Sequence, residues 1–476
     1  MRVSRRALLA GAAGTAACAT QPAPGGPLET DSGPVLRKPN LLILFPDQLR
    51  ALSLPAFGDG TLRVPGIERL YAEGVSLDEC VSATPLCTPA RSSILTGQRA
   101  WSTGTSENEL PLPSGTPTIA SALAEGGWKR GWVGKWHLEG EGLREEGFVP
   151  LNRRFFFDDF WFANNFDHLY LDARWFEDND SAISAPGVWG PTRETDAALE
   201  AIDTFGPDPW ALVVSWGPPH PDPAWPTNWD DVPPELLAEV DPASLQLRPN
   251  LPEEMFYPNK KLEGHLLDPV GALGFLQGYY ACILGIDREI QRLLTALDER
   301  GLTNDTIVVF VSDHGEMGGS QSRYRKGVAF EEVVRVPFVV RWPGSLTPSR
   351  VMGACDLSDV APTLLALMGA PPLAEASGRD RSEWLRTGVA TDAEEYSFLW
   401  YHETVQPWRC VRSTKYKWIE TDDVGNLLYS LVDDPFELVN RVDDPAYADV
   451  QAELVAALDA LQVSVNDPLL FTTTPG

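Results

Sequence analysis

Residues 86–98 read Leu-Cys-Thr-Pro-Ala-Arg-Ser-Ser-Ile-Leu-Thr-Gly-Gln, and the organisation of the chain can be worked out from this stretch outward. It predicts a short helix with Thr88 as its N-cap, Pro89 in its first turn and Gly97 at its end. Cys87 then lies at the helix N-terminus, where free N–H groups and the helix dipole favour a thiolate or a bound anion. The same residues also fit a small buried cysteine before an ordinary capped helix. Other parts of the chain have to decide between these interpretations.

Four segments, three of them mainly apolar, predict strands, and polar side chains follow each of them. In open α/β sheets, ligands bind at the carboxyl edge of the strands, where these side chains would lie. One acidic residue at a strand end is more often a turn former and is weak evidence by itself. The strands and the polar residues that follow are 39–45 with Asp47 and Gln48, 129–133 with Lys135 and His137, 210–215 with His220, and 306–311 with Asp313 and His314.

The remaining patterns predict helices between these strands and a strand-rich region near the C-terminus. Residues 279–302 have the strongest amphipathic pattern, with isoleucine and leucine on one face and Gly301 at the end. Helices are also predicted at 118–125, 195–205 and 450–461, strands at 338–341, 408–412 and 415–419, and a loop over 222–268.

Three motifs, in this order along the chain, resemble the signatures of the type I, formylglycine-dependent sulfatases of the alkaline-phosphatase-like superfamily. They are Cys87-x-Pro89-x-Arg91 with Thr96-Gly97 after it, the run Gly134-Lys135-Trp136-His137-Leu138, and Asp313-His314-Gly315 after a helix and a strand. A Lys and a His two residues apart on an extended segment point the same way and can both reach one anion. Residues 218–221 also resemble a family motif, and matches extend from about residue 39 to 440.

The resemblance implies a fold and a domain organisation. The implied fold is α/β, with a large mixed, mostly parallel sheet flanked by helices and a small C-terminal subdomain made of an antiparallel sheet and a helix. We expect residues 1–34 to be an export signal and a Pro/Gly-rich linker, 35–385 to be the catalytic domain, and 386–476 to be the C-terminal subdomain.

The resemblance also implies the chemistry of the site. In this family a maturase oxidises the cysteine to formylglycine, whose hydrated aldehyde is the nucleophile beside one divalent metal. Hard oxygen ligands suit calcium first, with magnesium or manganese as alternatives. The implied metal ligands are Asp47, Gln48, Cys87, Asp313 and His314. Arg91 and Lys135 would hold formylglycine and the sulfate oxygens, and His220 and Lys326 would stabilise or protonate the leaving oxygen. His137 would take a proton from the second hydroxyl of the hydrated aldehyde.

Two of these positions depart from common family patterns. Gln48 stands where many sulfatases have a second aspartate, and an amide oxygen can bind a hard cation but supplies no charge. His314 stands where many relatives have asparagine. We therefore expect Gln48→Asp to keep the metal and to bind it more tightly.

The implied substrate is a sulfated small molecule or glycan. The chain has 16 tryptophans, and residues 155–189 are rich in aromatic side chains that would either hold a sugar or pack a long loop onto the core. Asn108, His402 and Trp408 are candidates for substrate contacts.

Composition and the N-terminus indicate partners and location. Lys and Arg number 38 against 67 Asp and Glu, and the resulting net charge of −29 disfavours binding to nucleic acid or anionic membranes. No apolar run after the N-terminus is long enough to span a bilayer. Arg5 and Arg6 before a short apolar stretch resemble a twin-arginine signal, so we expect export to the periplasm or the cell surface.

Cysteine usage leaves two questions open. Cys18 is either a lipid-attachment site or lies near a plain cleavage site. The chain has six cysteines and no C-x-x-C pair, so beyond Cys18 and Cys87 the other four are either thiols or partners in up to two disulfides.

Three functions compete. The first is hydrolysis of a sulfate monoester. The second stays within the superfamily, because Gln48, His314 and Asn108 also resemble formylglycine-dependent phosphonate monoester and phosphodiester hydrolases. The third is a non-catalytic sulfated-glycan-binding protein, which would be expected to have lost a metal or nucleophile position.

Overall fold

The computed structural model of the chain describes residues 38–140, 147–221, 229–251, 269–391, 396–401, 407–421 and 425–467. Residues 38–476 group into one compact unit. The expected export signal with Arg5, Arg6 and Cys18, and the candidate substrate residue His402, lie outside the described residues.

The described residues form ten α-helices and sixteen strands, joined by turns and short 3₁₀ segments. The strands are β1 Asn40–Leu44, β2 Val75–Leu77, β3 Cys80–Val81, β4 Lys129–Lys135, β5 Phe160–Asn164, β6 Arg174–Trp175, β7 Ile183–Ser184, β8 Trp210–Ser215, β9 Thr306–Val311, β10 Phe338–Arg341, β11 Ser349–Val351, β12 Cys355–Asp356, β13 Ser397–Tyr401, β14 Trp408–Arg412, β15 Tyr416–Thr421 and β16 Leu427–Ser430. The helices are α1 Pro65–Glu73, α2 Cys87–Thr96, α3 Ile119–Glu125, α4 Gly190–Phe205, α5 Pro234–Glu239, α6 Pro269–Glu299, α7 Glu331–Val334, α8 Val360–Met368, α9 Ser382–Thr387 and α10 Ala448–Ser464.

The large sheet has eight strands in the order β11-β2-β10-β9-β1-β8-β4-β5. The central strands β9, β1, β8 and β4 run parallel, and β10 is antiparallel to both of its neighbours. The sheet is therefore mixed and mostly parallel, as the resemblance implied. Its parallel centre matters most for function, because parallel strands present all their carboxyl ends at one edge.

Both faces of this sheet are covered, which explains why its strands are apolar without alternation. Leu42 and Leu44 of β1 enter one core cluster together with residues of α4 and α6. Leu41 and Ile43 enter the opposite cluster together with residues of α2, α3 and α8. The apolar face predicted for α6 lies in the first cluster, although this helix begins at Pro269 rather than at residue 279.

The small antiparallel sheet has the order β13-β14-β15-β16, and α10 packs against one of its faces. Its other face contacts the large sheet's connections through an apolar cluster that includes Val81 and Val334. Buried ion pairs accompany this contact, since Arg412 binds Glu331 and Glu79 while Lys417 also binds Glu331. The predicted strand at 408–412 is confirmed, and the predicted helix at 450–461 is confirmed with longer bounds.

Two local predictions are wrong. The helix over residues 86–98 begins at Cys87 with Leu86 as its N-cap, so Thr88 lies inside the first turn. The N-terminal donors find another partner, because the side-chain oxygen of Asn108 accepts the Thr88 N–H at 3.1 Å. Gly97 does end the helix, with a left-handed φ of 66°. In the expected loop over 222–268, residues 234–239 form α5.

Two further findings bear on earlier questions. The described cysteines are free thiols, and all of them are buried. In the described part of the chain, no helix combines the length and apolar character needed to cross a bilayer.

Candidate functional site

Side chains that follow β1 and β9 meet the first residue of α2 at the carboxyl edge of the large sheet. One possible ligand atom from each of Asp47, Cys87, Asp313 and His314 lies within 4.8 Å of the others, and all four residues are buried. The cysteine sulfur is 3.3 Å from His314 Nε2 and 3.7 Å from an Asp47 carboxylate oxygen. This group could hold a metal ion with the side chain of residue 87 beside it.

The imidazole of His314 is prepared to act as a ligand. Its Nδ1 lies 3.0 Å from the Gly315 carbonyl, which can only accept, so Nδ1 carries the proton and Nε2 keeps its lone pair toward Cys87. Burial lowers the pKa of His314 to about 4, which keeps the ring neutral near pH 7. A ligating histidine commonly donates its other N–H to a carbonyl in this way.

Two neighbours orient the side chain of Gln48, one by accepting a hydrogen bond and the other by donating one. Its Nε2 donates to the Glu316 carboxylate, and its Oε1 accepts from Lys326 Nζ at 2.7 Å. The Lys326 ammonium can only donate, so the amide oxygen faces Lys326 and the cysteine sulfur beside it, while the amide nitrogen faces Glu316. Gln48 also has a left-handed φ of 63°, a strained conformation that is concentrated at functional sites.

Glu316 is a positioning residue that the sequence analysis did not identify. Its Oε1 accepts the backbone N–H groups of Gly318 and Arg325 at 2.9 and 2.6 Å, which leaves Oε2 for Gln48. The signal was present in the sequence, because a glutamate directly after Asp313-His314-Gly315 lies on the same turn as the ligands.

Arg91 and Lys135 place positive charge next to Asp313 and Asp47. Arg91 is fully buried and donates to the Lys135 carbonyl at 3.0 Å and to Ser215 Oγ at 2.9 Å. Its Nε forms an ion pair with Asp313 Oδ2 at 3.3 Å, and its Nη2 lies 3.9 Å from an Asp47 carboxylate oxygen. The buried guanidinium therefore offsets the charge of the two aspartates.

The charge state of Asp47 follows from its neighbours. Burial alone would raise the pKa of this carboxyl, but Lys135, whose ammonium binds it directly, together with His220 and Arg91 holds the pKa well below the usual range. Asp47 is therefore ionised although it is buried. Burial and the nearby Asp47 charge raise the pKa of Asp313 to about 6 in the absence of a cation. The ionised Asp47 carboxylate, the Asp313 and Gln48 oxygens and one imidazole are a donor set that fits a divalent cation.

His137 lies two residues beyond Lys135, the last residue of β4. Its ring is buried, Nδ1 has no hydrogen-bond partner, Nε2 lies 3.6 Å from a Glu109 carboxylate oxygen, and its backbone has a left-handed φ of 54°. Burial, reinforced by Lys135, holds the pKa of His137 well below its ordinary value, so the ring is neutral and can accept a proton. The Thr88 hydroxyl donates to the His137 carbonyl at 2.9 Å and links this segment to the start of α2.

Lys326 and His220 complete the set of predicted site residues. Lys326 Nζ lies 3.0 Å from Cys87 Sγ, so this ammonium is close to the nucleophile position. His220 lies beyond the end of β8, and its Nδ1 is 2.7 Å from the Pro221 carbonyl. Burial and the neighbouring His168 hold the pKa of His220 well below its ordinary value.

The candidate substrate residues have structural contacts of their own. Asn108 binds the first turn of α2, as described above. Trp408 donates from Nε1 to the carbonyl of Gly327 at 3.0 Å and stacks on Tyr401, so it supports the segment that carries Lys326. Whether either one contacts substrate stays a prediction.

The rings of residues 155–189 fall into two groups, one in the core and one beside the site. Phe155, Phe157 and Trp161 pack around Trp136 in the core, as one of the two interpretations expected. Phe166 and His168, however, lie against site histidines, and His168 was not among the predicted site residues. Its only sequence signal was its place in an aromatic loop without regular period.

The fold and the site define an ester hydrolase of the alkaline-phosphatase-like class. The sulfatase family model matches residues 39–370, and the model of the C-terminal region of N-sulphoglucosamine sulphohydrolase matches residues 319–464. The chain belongs to the sulfatase family of sulfuric ester hydrolases.

Individual relatives agree with this assignment. The chain is 30% identical over 449 residues to an ulvan-active sulfatase of Formosa agariphila, covering 90% of this chain and 82% of that protein. The crystal structure of a sulfatase, yidJ, of Bacteroides fragilis is similar with a TM-score of 0.79 and 25% identity, covering 90% of this chain and 97% of that one. A phosphonate monoester hydrolase of Silicibacter pomeroyi shares the fold, with a TM-score of 0.71 at 22% identity over 90% of this chain and 95% of that one.

Proposed function

We propose that this protein hydrolyses the sulfate monoester of a small organic molecule or carbohydrate, using a formylglycine made from Cys87 and one bound divalent cation. One observation carries the proposal. The side chain of residue 87 lies at the start of α2, beside the possible metal ligands and 3.0 Å from the Lys326 ammonium. A nucleophile position, a group of possible metal ligands and a half-buried lysine ammonium thus lie together, which suits attack on an anionic ester.

The metal ligands would be Asp47, Gln48, Asp313 and His314, with a hydroxyl of the modified residue 87. Calcium is the first choice, and magnesium or manganese also suits these donors. When bound, the cation supplies Lewis acidity and lowers the pKa of the nucleophile.

Formylglycine explains why a cysteine stands at residue 87. In its hydrated form the group supplies one hydroxyl that attacks sulfur and a second whose deprotonation releases sulfate and restores the aldehyde. An unmodified serine or cysteine has no second hydroxyl and would remain sulfated. A maturase is therefore a required partner.

The chain's own residues would hold the ester and move protons. Arg91, whose guanidinium pairs with Asp313 and lies near Asp47, and Lys135 hold the sulfate oxygens. Lys326, already charged, donates to the leaving oxygen, and His220 donates there from Nε2 once the anionic substrate favours its protonation. His137, neutral and with the Glu109 carboxylate beside its Nε2, accepts the proton of the second hydroxyl. General acid and base catalysis by such groups typically contributes about 10²–10⁴-fold.

A formylglycine-dependent phosphonate monoester or phosphodiester hydrolase is the second candidate. Gln48 facing the site through its oxygen, His314 ligating through Nε2 and Asn108 at the start of α2 favour it. A non-catalytic sulfated-glycan-binding protein is disfavoured, because the described site retains a nucleophile position and a complete donor set.

The test compares phenyl sulfate with phenyl methylphosphonate on protein expressed with a maturase. Mass spectrometry of the peptide containing residue 87 should find an aldehyde that reacts with hydrazides, and kcat/KM should favour the sulfate. Faster hydrolysis of the phosphonate would favour the second candidate. An unmodified Cys87 together with steady turnover would refute the mechanism.

We also propose export through the twin-arginine route to the periplasm or the cell surface, with lipid attachment at Cys18 as one form of the mature protein. Replacing Arg5 and Arg6 by Lys should leave the protein in the cytoplasm, measured by cell fractionation. Normal export of that variant would refute the route. Mass spectrometry of the mature N-terminus distinguishes lipidation from plain cleavage.

A further inference from the structure

Four ring side chains form a continuous row along one side of the site, which we call the histidine wall: His137, Phe166, His168 and His220. Ring centroids of neighbours in this row are 4.6, 4.3 and 4.0 Å apart. Both ends of the row belong to the proposed machinery, and the two middle rings come from the aromatic loop. The wall therefore joins the position of the sulfate to that of the leaving group.

His168 and His220 stack almost face to face, with an interplanar angle of 16°. Tyr170 adds a second link, because its hydroxyl donates to the His220 carbonyl at 2.6 Å and lies 3.3 Å from His168 Nδ1. His168 is therefore held on the leaving-group side of the site by a ring contact and by a hydroxyl bridge.

These contacts determine which nitrogen of His168 carries the proton. A tyrosine hydroxyl has one proton, and here the shorter bond to the His220 carbonyl uses it. The Tyr170 oxygen is then an acceptor toward His168, so Nδ1 of His168 must be the donor. Burial, reinforced by Lys135, holds the pKa of His168 well below its ordinary value, so the ring is neutral and Nε2 bears a lone pair.

No group in the described part of the chain donates a hydrogen bond to this lone pair. The side chain is buried, with the residue only 6% exposed, and Nε2 has no hydrogen-bond partner. A buried acceptor without a partner is costly, and near a reaction site such an atom points to a ligand that satisfies it. Nε2 belongs to the ring that stacks on His220, on the leaving-group side of the site.

We propose that His168 determines specificity by accepting, through Nε2, a hydrogen bond from a hydroxyl of the substrate that neighbours the sulfate ester. The inference rests on the proposed function, which places the leaving oxygen beside His220. A carbon skeleton bearing a sulfate and an adjacent free hydroxyl is then the preferred substrate class, as in a vicinal diol or a catechol that carries one sulfate. Esters whose neighbouring position is unsubstituted or alkylated leave Nε2 unpaired and bind the transition state less well.

The competing explanation is that His168 only supports His220 by stacking. The two roles separate cleanly in two variants. His168→Phe keeps a flat ring against His220 but loses the acceptor. His168→Gln loses the ring but carries a terminal amide oxygen close to where Nε2 lies.

The experiment measures kcat/KM for catechol monosulfate and for guaiacol sulfate, which replaces the neighbouring hydroxyl by a methoxy group. The ratio between the two esters is compared among wild type, His168→Phe and His168→Gln, each checked for thermal stability. Comparing the ratio across variants cancels the intrinsic reactivity of the esters. We expect the ratio to fall by about 3- to 10-fold in His168→Phe, the loss of one neutral hydrogen bond, and to be retained in His168→Gln.

A wild-type ratio in His168→Phe, or an equal loss of activity toward both esters, would show that the ring is merely structural and would overturn the proposal. Calorimetric binding of both esters to Cys87→Ala gives the same comparison where turnover is slow. Failure of the proposed function would give a different result: wild-type protein that carries the aldehyde at residue 87 would not hydrolyse phenyl sulfate.

Discussion

Exchanging the amide and the acid between Gln48 and Glu316 tests whether their hydrogen bond orients the metal-facing oxygen. Gln48→Glu preserves the size of the side chain but replaces the donor Nε2 by a second carboxylate oxygen against Glu316. Glu316→Gln removes the charge and keeps the shape. In the double variant Gln48→Glu/Glu316→Gln, an amide again faces a carboxylate, with the direction of donation reversed.

The magnitudes follow from the geometry. Gln48→Glu loses a hydrogen bond to a charged group, worth about 1.5–3 kcal/mol when buried. It also adds repulsion that at a separation of about 3 Å and an effective dielectric constant of about 20 amounts to about 5.5 kcal/mol. Uptake of a shared proton and attraction to Lys326 relieve part of this repulsion. We expect a net loss of about 2–4 kcal/mol in the unfolding free energy of the metal-free protein.

Urea unfolding of all four proteins in the presence of a chelator measures the coupling directly. The double variant should be more stable than the sum of the single effects predicts, by about 2 kcal/mol or more, since it restores the complementary pair. Additive effects of the two substitutions would refute the orientation argument. Cation titration by calorimetry then shows whether the rescued pair still presents an oxygen to the metal.

Three other changes probe the remaining parts of the structure. Asp313→Ala should abolish metal binding and turnover because the site loses a buried oxygen ligand, and unchanged metal content by mass spectrometry would contradict the ligand set. Cys87→Ser, expressed with an oxygen-dependent maturase, should keep fold and metal but show at most one turnover in a burst assay, whereas steady turnover by unmodified Ser would contradict the mechanism. Burial raises the pKa of Glu194, which accepts a hydrogen bond from Trp175, to about 8. The folded protein therefore keeps a proton on Glu194 that the unfolded chain loses near pH 4.5, so the free energy of unfolding should fall as pH rises from about 4.5 to 8. Glu194→Gln should flatten that fall, at roughly 1.4 kcal/mol per pH unit within the window, in thermal unfolding measured across pH.

Much of the fold was predictable because its strands are buried on both faces. Continuous apolar runs at 210–215, 306–311 and 338–341 became strands with those bounds, since no other local structure buries such runs so completely. The start of α2 was mispredicted for the opposite reason. Thr88 is a good N-cap by composition, but its N–H binds Asn108 and its hydroxyl binds the His137 carbonyl, both from distant parts of the chain.

The sequence alone predicted that the polar residues following the parallel strands meet at one edge, because a side chain directly after a parallel strand lies at that edge wherever the strand sits in the sheet. It therefore identified Asp47, Lys135 and Asp313 without knowing the strand order. Only the tertiary structure decided how the site is held. The orientation of Gln48 depends on Glu316, and the tautomer of His168 depends on Tyr170, while its place beside His220 depends on ring stacking. Such orientations are set by directional contacts between segments far apart in the chain, and a pattern read along one segment does not contain them.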